Sequence, residues 1–168
     1  MRGLCTPPPG SRLSAGGSPA LLGPETVTAA CQDARVATPA QGLAHLRDAA
    51  ADGRLDALCQ RHGIQLLTAF GSAARAEPAA RDLDIAVLTG AVDPVLLVNE
   101  LVELTGVDAI DLALLAHAGP VLRERALVGC VPLFESAPGR YAAAQLAAIA
   151  ERIETDRGRR TDLELLTT

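Results

Sequence analysis

The chain has 168 residues and a formal net charge of −5, and this length suits one domain of ordinary size with a tail. Nearly half of the residues are hydrophobic but only 2% are aromatic, which argues against a module that stacks nucleic-acid bases on aromatic rings. Because a negative net charge gives no global attraction for phosphates, we expect no direct nucleic-acid binding.

The first 40 residues differ in composition from the rest of the chain. Six prolines and five glycines fall within residues 1–40, and hydrophobic periodicity is weak there, which predicts a disordered tail. The four cysteines are scattered without a CxxC pair, so neither a zinc site nor a disulfide framework is expected. No apolar window is long enough to span a membrane, and we expect a cytoplasmic protein.

From residue 41 onwards the hydrophobic pattern predicts a domain at 41–160, with a short C-terminal tail at 161–168. The alternation of helices and strands predicts an α/β (α+β) arrangement with a small sheet of mixed strand direction. We expect Leu146, Ile149 and Ile153 along one face of the last helix. In chain order, the predicted elements are a helix at 41–62 that is interrupted near Asp52 and Gly53, strands at 64–70 and 81–88, a helix at 94–104, a strand at 107–115, a helix at 120–128, a strand at 131–134 and a helix at 140–157.

Asp82 and Asp84 stand two residues apart in the predicted strand at 81–88. Because side chains alternate along a strand, both carboxylates are expected to point to the same side of the sheet. Convergent carboxylates repel each other unless a cation neutralises them. Oxygen ligands of this kind suit Mg²⁺, which also binds substrate phosphates. The pattern therefore predicts a magnesium site on this strand.

The turn after the strand at 64–70 carries Gly71, Ser72 and Arg75. A glycine lets the backbone approach a ligand closely, and a short helix that begins here offers free N–H groups to a phosphate. Ser72 adds a hydroxyl donor and Arg75 adds a cation, although Glu77 offers Arg75 an alternative role in a surface ion pair. We interpret the turn as the phosphate-binding half of a nucleotide site.

Together, the runs Gly71-Ser72-Ala73-Ala74-Arg75 and Asp82-Leu83-Asp84 resemble the signature of the minimal nucleotidyltransferases (MNT) of the DNA polymerase β superfamily. The resemblance is greatest to the MNT antitoxins encoded beside HEPN-domain toxins, and it covers about residues 43–160, including an acidic segment at 107–112. It implies a polymerase-β-like nucleotidyltransferase fold in which helices flank a small mixed sheet.

The resemblance also implies a role for each matching residue. Gly71 and Ser72 would bind the nucleoside triphosphate, with ATP as the expected substrate. Asp82 and Asp84 would hold two Mg²⁺ ions, which stabilise the attacking and leaving oxygens of an in-line displacement at the α-phosphate.

A third carboxylate completes the family pattern, and the chain offers Asp108 and Asp111 as candidates for it. The resemblance assigns the role to Asp108, as a metal ligand and as a candidate base for the acceptor hydroxyl. Asp111 lies three residues further along, so on a regular strand its side chain faces away from that of Asp108. The predicted metal and catalytic set is Asp82, Asp84 and Asp108, with Asp111 as the rival.

Three features depart from the family pattern. Ala76 stands where the family usually has glycine, and Arg81 stands where it usually has serine. Nine residues separate Ser72 from Asp82, one fewer than is commonest in the antitoxin group. These departures leave a catalytically degenerate site open as an alternative.

The resemblance implies an enzyme that transfers AMP, or another nucleoside monophosphate, from a nucleoside triphosphate to a protein hydroxyl. The implied acceptor is a tyrosine of a HEPN-type toxin, so the chain would act as an antitoxin. One alternative is a degenerate domain that neutralises its partner by binding alone. Another is a nucleotidyltransferase for aminoglycoside-like small molecules, although such enzymes usually carry an additional helical domain.

Overall fold

The structure is a computed structural model, and it describes the backbone of residues 36–166 and the side chains of residues 36–158. Most of the predicted tail at 1–40 therefore lies outside the described residues. The elements are α1 (Pro39–Ala51), α2 (Arg54–Arg61), β1 (Ile64–Phe70), α3 (Gly71–Ala74), β2 (Leu83–Thr89), α4 (Pro94–Thr105), β3 (Ile110–Leu114), α5 (Pro120–Leu127), β4 (Val131–Glu135) and α6 (Arg140–Leu166).

The strands form one four-stranded sheet in the order β3-β2-β1-β4. Strand β1 pairs antiparallel with both β2 and β4, whereas β2 and β3 are parallel. A parallel pair needs a crossover connection, and α4 lies between β2 and β3 in the chain. The predicted α/β class with mixed strand direction is confirmed.

The central strands β1 and β2 carry buried side chains on both faces of the sheet. Neighbouring side chains along a strand point to opposite faces, so each strand contributes to two clusters. Leu67 and Ile85 belong to the cluster that includes buried residues of α1, α2 and α4. Leu66 and Ala86 belong to a second cluster with buried residues of α5 and α6. The sheet is thus covered by helices on both sides, and the face toward α5 is the one that carries the candidate site.

Local sequence explains where α1 begins. The Thr38 side chain accepts a hydrogen bond from the Gln41 backbone N–H, and the Gln41 side chain accepts one from the Thr38 N–H, with Pro39 at the first helical position. This reciprocal capping box satisfies two N–H groups that have no partner within a helix. The helix therefore begins at residue 39 instead of 41, and it ends before Gly53, where the predicted interruption is confirmed.

The apolar face predicted for the last helix is not the face that is buried. Two of its predicted members, Leu146 and Ile153, are 68% and 47% exposed. The fully buried residue is Ala148, which belongs to the cluster that α6 shares with α5 and the sheet. Small side chains let α6 pack closely on α5, so the larger apolar residues lie outside the contact.

Three element boundaries differ from prediction, and the first two concern the strands that carry the candidate carboxylates. The strand predicted from residue 81 begins at Leu83, and the strand predicted from 107 begins at Ile110. Helix α6 continues to Leu166 and so overlaps the predicted tail at 161–168; the domain division itself stays a prediction. No helix within the described residues is long and apolar enough to cross a membrane.

Candidate nucleotide site

The turn between β1 and α3 is built around Gly71. Its φ angle is +71°, which a glycine adopts without the steric cost that other residues meet there. A Cβ at this position would also overlap the Asp84 carboxylate. Gly71 is therefore required both by the backbone conformation and by the close approach of the turn to Asp84.

Asp84 and Asp111 are brought together by the register of the two parallel strands. They are paired residues of β2 and β3, so their side chains project from the same face of the sheet. Phe70, the last residue of β1, is the partner of Asp84 on its other side. The strand pairing thus places two carboxylates beside the Gly71 turn.

These residues share a cavity of about 720 Å³. The turn between β1 and α3, the two strand carboxylates, and α5 with the residue that follows it all contribute to the lining. Its charged and turn residues are Gly71, Ser72, Arg75, Asp84, Asp111 and Arg125. The cavity thus joins the Gly71–Ser72 turn to one predicted carboxylate, Asp84, and to Asp111, the rival candidate for the third carboxylate.

The electrostatics of the cavity centre on Asp84, which is partly buried. Burial is the main reason why the pKa of its carboxyl is raised, and the negative charges of Asp82 and Asp111 raise it further. The Arg75 guanidinium acts in the opposite direction. Burial and the two neighbouring negative charges both disfavour the ionised Asp84 carboxyl, and a bound cation would relieve both effects.

The predicted acidic residues do not all line this cavity. Asp82 lies in the bend before β2 and is exposed, yet it is close enough for its charge to raise the Asp84 pKa. Asp108 is exposed and lies outside β3, and it is not among the residues that line the cavity. Asp111 occupies the position beside Asp84, so this placement favours Asp111 over Asp108 as the third carboxylate.

The two roles weighed for Arg75 both find support in the structure. Its Nε donates to the Glu77 Oε1 at a distance of 2.7 Å. The pair is more than half exposed on the arginine side, and exposed ion pairs contribute little stability. Because Arg75 also lines the cavity, this pairing leaves it within reach of a bound phosphate.

Helix α5 contributes residues that the sequence reasoning missed. Leu122, Arg125 and Val128 line the cavity. The sequence predicted only a helix at 120–128, and no motif within it marks a ligand contact. Only the packing of α5 against β1 and α6 brings these side chains to the site.

The donor set fits Mg²⁺ in the manner of a substrate-assisted site. Among the described residues, no group of three or more His, Cys, Asp or Glu side chains is placed to hold a metal ion. Mg²⁺ is commonly bound by one or two carboxylates plus substrate phosphates and water. Asp84 and Asp111 can supply those two carboxylates, because their strand pairing places both beside the Gly71 turn in one cavity.

Solved structures with the same fold come from toxin–antitoxin complexes. A chain of a mutant MntA–HepT toxin–antitoxin structure superposes with a TM-score of 0.56 at 18% identity, over 70% of this chain and 98% of that one. A toxin–antitoxin structure with AMP-PNP gives 0.56 at 20% identity with the same coverage. A complex of tri-AMPylated HEPN toxin with MNT antitoxin from Shewanella oneidensis gives 0.54 at 19% identity, over 76% and 99%.

No protein-family model and no curated protein matches the sequence. Identities of 18–20% leave the likeness at the level of three-dimensional structure, where nearly the whole length of the matched chains is covered. The resemblance to the MNT antitoxins, which rested on the Gly-Ser turn and the two aspartates, is confirmed as a likeness of fold. The chain has the fold of the minimal nucleotidyltransferases found with HEPN toxins.

Proposed function

We propose that the protein is a Mg²⁺-dependent nucleotidyltransferase that transfers AMP from ATP to a protein hydroxyl. The observation that carries this proposal is the single cavity in which Asp84 and Asp111 lie beside the Gly71–Ser72 turn. The turn suits the triphosphate, and the carboxylates suit the metal. The solved structure of the same fold with AMP-PNP supports an adenine nucleotide as the ligand.

The proposed step is an in-line displacement at the α-phosphorus. The acceptor hydroxyl oxygen forms a bond to the α-phosphorus, the bond from that phosphorus to the α–β bridging oxygen breaks, and pyrophosphate leaves. Mg²⁺ ions, when bound, would stabilise charge on the attacking and leaving oxygens. Asp84 and Asp111 would hold the metal, Asp82 would complete the acidic set, and Asp111 is the candidate base for the hydroxyl proton.

The proposed acceptor is a tyrosine of a HEPN-type toxin, which makes this chain the antitoxin. Support comes from the neighbour in which an MNT antitoxin is bound to an AMPylated HEPN toxin. The third-carboxylate prediction for Asp108 gives way in this proposal to Asp111, because Asp111 alone of the two lines the cavity.

The test uses ATP labelled at the α-phosphate, Mg²⁺, the purified full-length protein and a lysate of its own cells. We expect one labelled protein band, and mass spectrometry should locate the added AMP on tyrosine. Losing a catalytic carboxylate costs orders of magnitude in rate, so Asp84→Asn and Asp111→Asn should abolish the band.

Two matched variants separate the site from the surface. Asp48→Asn changes an exposed aspartate of α1 outside the cavity and should leave the label unchanged. Asp108→Asn should also retain labelling if Asp111 is the third carboxylate. Labelling that survives Asp84→Asn would contradict the proposal, and loss with Asp108→Asn but not Asp111→Asn would restore Asp108 to the role.

A binding-only antitoxin is the second candidate function. It is favoured by the departure from the family pattern at Ala76, whose φ angle of +57° strains the end of the turn. Toxin neutralisation in cells discriminates the two functions. Neutralisation that persists in the double variant Asp82→Asn, Asp84→Asn would mean that contact alone suffices.

A further inference from the structure

Helix α5 contributes an arginine to the lining of the cavity. Arg125 lines the cavity together with Leu122 and Val128, and its side chain is exposed. It has no hydrogen bond or ion pair with any described residue. A cation that faces a cavity without a protein partner is free to bind an anionic ligand.

The neighbouring arginine on the same helix shows that this is not a general property of α5. Arg123 donates to the Leu115 and Ala118 carbonyl oxygens and pairs with Glu151. Its hydrogen-bonding capacity is largely used in holding α5 to the end of β3 and to α6. Arg123 therefore serves the structure, whereas Arg125 faces the cavity.

The two cavity arginines also differ in their relation to the carboxylates. Arg75 is close enough to Asp84 to offset part of the repulsion at that carboxyl, whereas Arg125 is not among the charges that act on Asp84. No ion pair joins Arg125 to Asp84 or Asp111. Arg125 therefore lines the same cavity as these carboxylates without being paired to either of them.

A nucleoside triphosphate bound at such a site extends beyond its metal contacts. The metal and the turn neutralise only part of its charge, and the remaining phosphate oxygens need further donors. Arginine suits this task because its planar guanidinium can donate two parallel hydrogen bonds to one phosphate. Leu122 and Val128 offer no polar alternative on the same wall.

We propose that Arg125 binds the polyphosphate of the nucleotide in the cavity that it shares with Asp84 and Asp111, so that α5 forms the second half of the phosphate site. This inference rests on the proposed function for the identity of the ligand. The helix is fixed for the role by the Thr68 hydroxyl of β1, which donates to the carbonyl oxygen of Ala126, the residue next to Arg125.

The test compares binding affinities by calorimetry, with Mg²⁺ and full-length protein. The ligands are an ATP analogue with a non-cleavable α–β bridge, AMP and adenosine, and the variants are Arg125→Gln and Arg125→Lys. Arg47→Gln, which alters an exposed arginine of α1 outside the cavity, is the matched control. Thermal unfolding verifies that each variant is folded.

We expect Arg125→Gln to weaken binding of the ATP analogue about tenfold or more, with adenosine binding unchanged. AMP affinity should fall much less, Arg125→Lys should recover part of the loss, and Arg47→Gln should match the wild type. Equal losses for all three ligands would mean a structural role for Arg125 and would overturn the inference, as would wild-type affinity in Arg125→Gln.

The outcome also separates this inference from the proposed reaction. A wild-type protein that binds the ATP analogue through Arg125 but transfers no label would leave the inference standing and overturn the proposed catalysis. Transfer that proceeds normally in Arg125→Gln, with normal ATP dependence, would do the reverse. A wild-type protein that binds none of the ligands would overturn both.

Discussion

Ala76 adopts a backbone conformation that residues with a Cβ rarely occupy. Its φ angle is +57°, in the left-handed region. The Glu77 N–H donates to the Ser72 carbonyl oxygen and the Ala76 N–H donates to that of Ala73. These two bonds form the Schellman ending of a helix, whose left-handed residue is usually glycine. Ala76, which departs from the family pattern, therefore carries a local backbone strain at the end of the turn that we propose binds phosphate.

Ala76→Gly is expected to stabilise the protein. The left-handed conformation costs a residue with a Cβ about 1–2 kcal/mol, part of which is offset by the greater freedom of glycine in the unfolded chain. We expect a net gain of about 0.5–1 kcal/mol in the free energy of unfolding, measured by urea denaturation. Ala74→Gly, the same change within α3, should destabilise the protein. A loss of stability in both variants would contradict this reading of Ala76.

At the scale of single residues, the sequence predicts what short-range rules decide. A glycine and serine after a strand, and two aspartates at an alternating spacing, mark the site locally. The choice between Asp108 and Asp111 depends on where β3 begins and which residue pairs with Asp84. That register is fixed by packing between distant segments, so no local rule could select Asp111.

Helix α5 contributes one part of the cavity lining, and the Thr68 hydroxyl bonds it to the sheet. Thr68 is fully buried, and its hydroxyl donates to the Ala126 carbonyl oxygen at 2.9 Å. Thr68→Val retains the shape but leaves this buried carbonyl without its partner. Such a loss costs about 1–3 kcal/mol, and it loosens the helix that carries Arg125.

We expect Thr68→Val to lower both the free energy of unfolding and the affinity for the ATP analogue. Thr89→Val is the matched control, because the Thr89 hydroxyl bonds the His62 and Gly63 carbonyl oxygens, away from α5. That variant should lose stability and keep its nucleotide affinity, as measured by denaturation and calorimetry. Equal nucleotide affinities in the two variants would show that Thr68 does not position α5.

The hydrophobic pattern predicts the limits of helices and strands well where turn residues such as glycine and proline mark their ends. Strand β1 has the predicted limits, and α4 and α5 each end within one residue of prediction. The apolar face predicted for α6 is not its buried face, because the hydrophobic pattern favours large apolar side chains over small ones. Close helix packing selected Ala148 over Leu146, and sequence periodicity does not contain the distance between two helices.

At the scale of the whole molecule, the carboxylates proposed for metal binding, Asp82, Asp84 and Asp111, lower the stability of the metal-free fold. The raised pKa of Asp84, caused by burial and by the charges of Asp82 and Asp111, means that the folded protein binds a proton there more tightly than the unfolded chain does. The stabilising contribution is present below the ordinary aspartate pKa and is lost as pH rises through the raised value. At neutral pH the charged Asp84 therefore destabilises the metal-free fold.

Asp84→Asn should raise the Tm of the metal-free protein at pH 7.5 by about 1–3 °C, a small shift because Asp84 is only partly buried. The advantage over the wild type should shrink as pH falls through the raised pKa and vanish below the ordinary aspartate pKa, where Asp84 is protonated in both the folded and the unfolded chain. Millimolar Mg²⁺ should raise the wild-type Tm more than that of the variant, because a ligand stabilises only the state that binds it. Scanning calorimetry across pH, with Asp48→Asn as the control, measures both effects. If Mg²⁺ stabilised both proteins equally, the carboxylate cluster would be a source of strain without a metal to relieve it, and the proposed metal site would lose its physical basis.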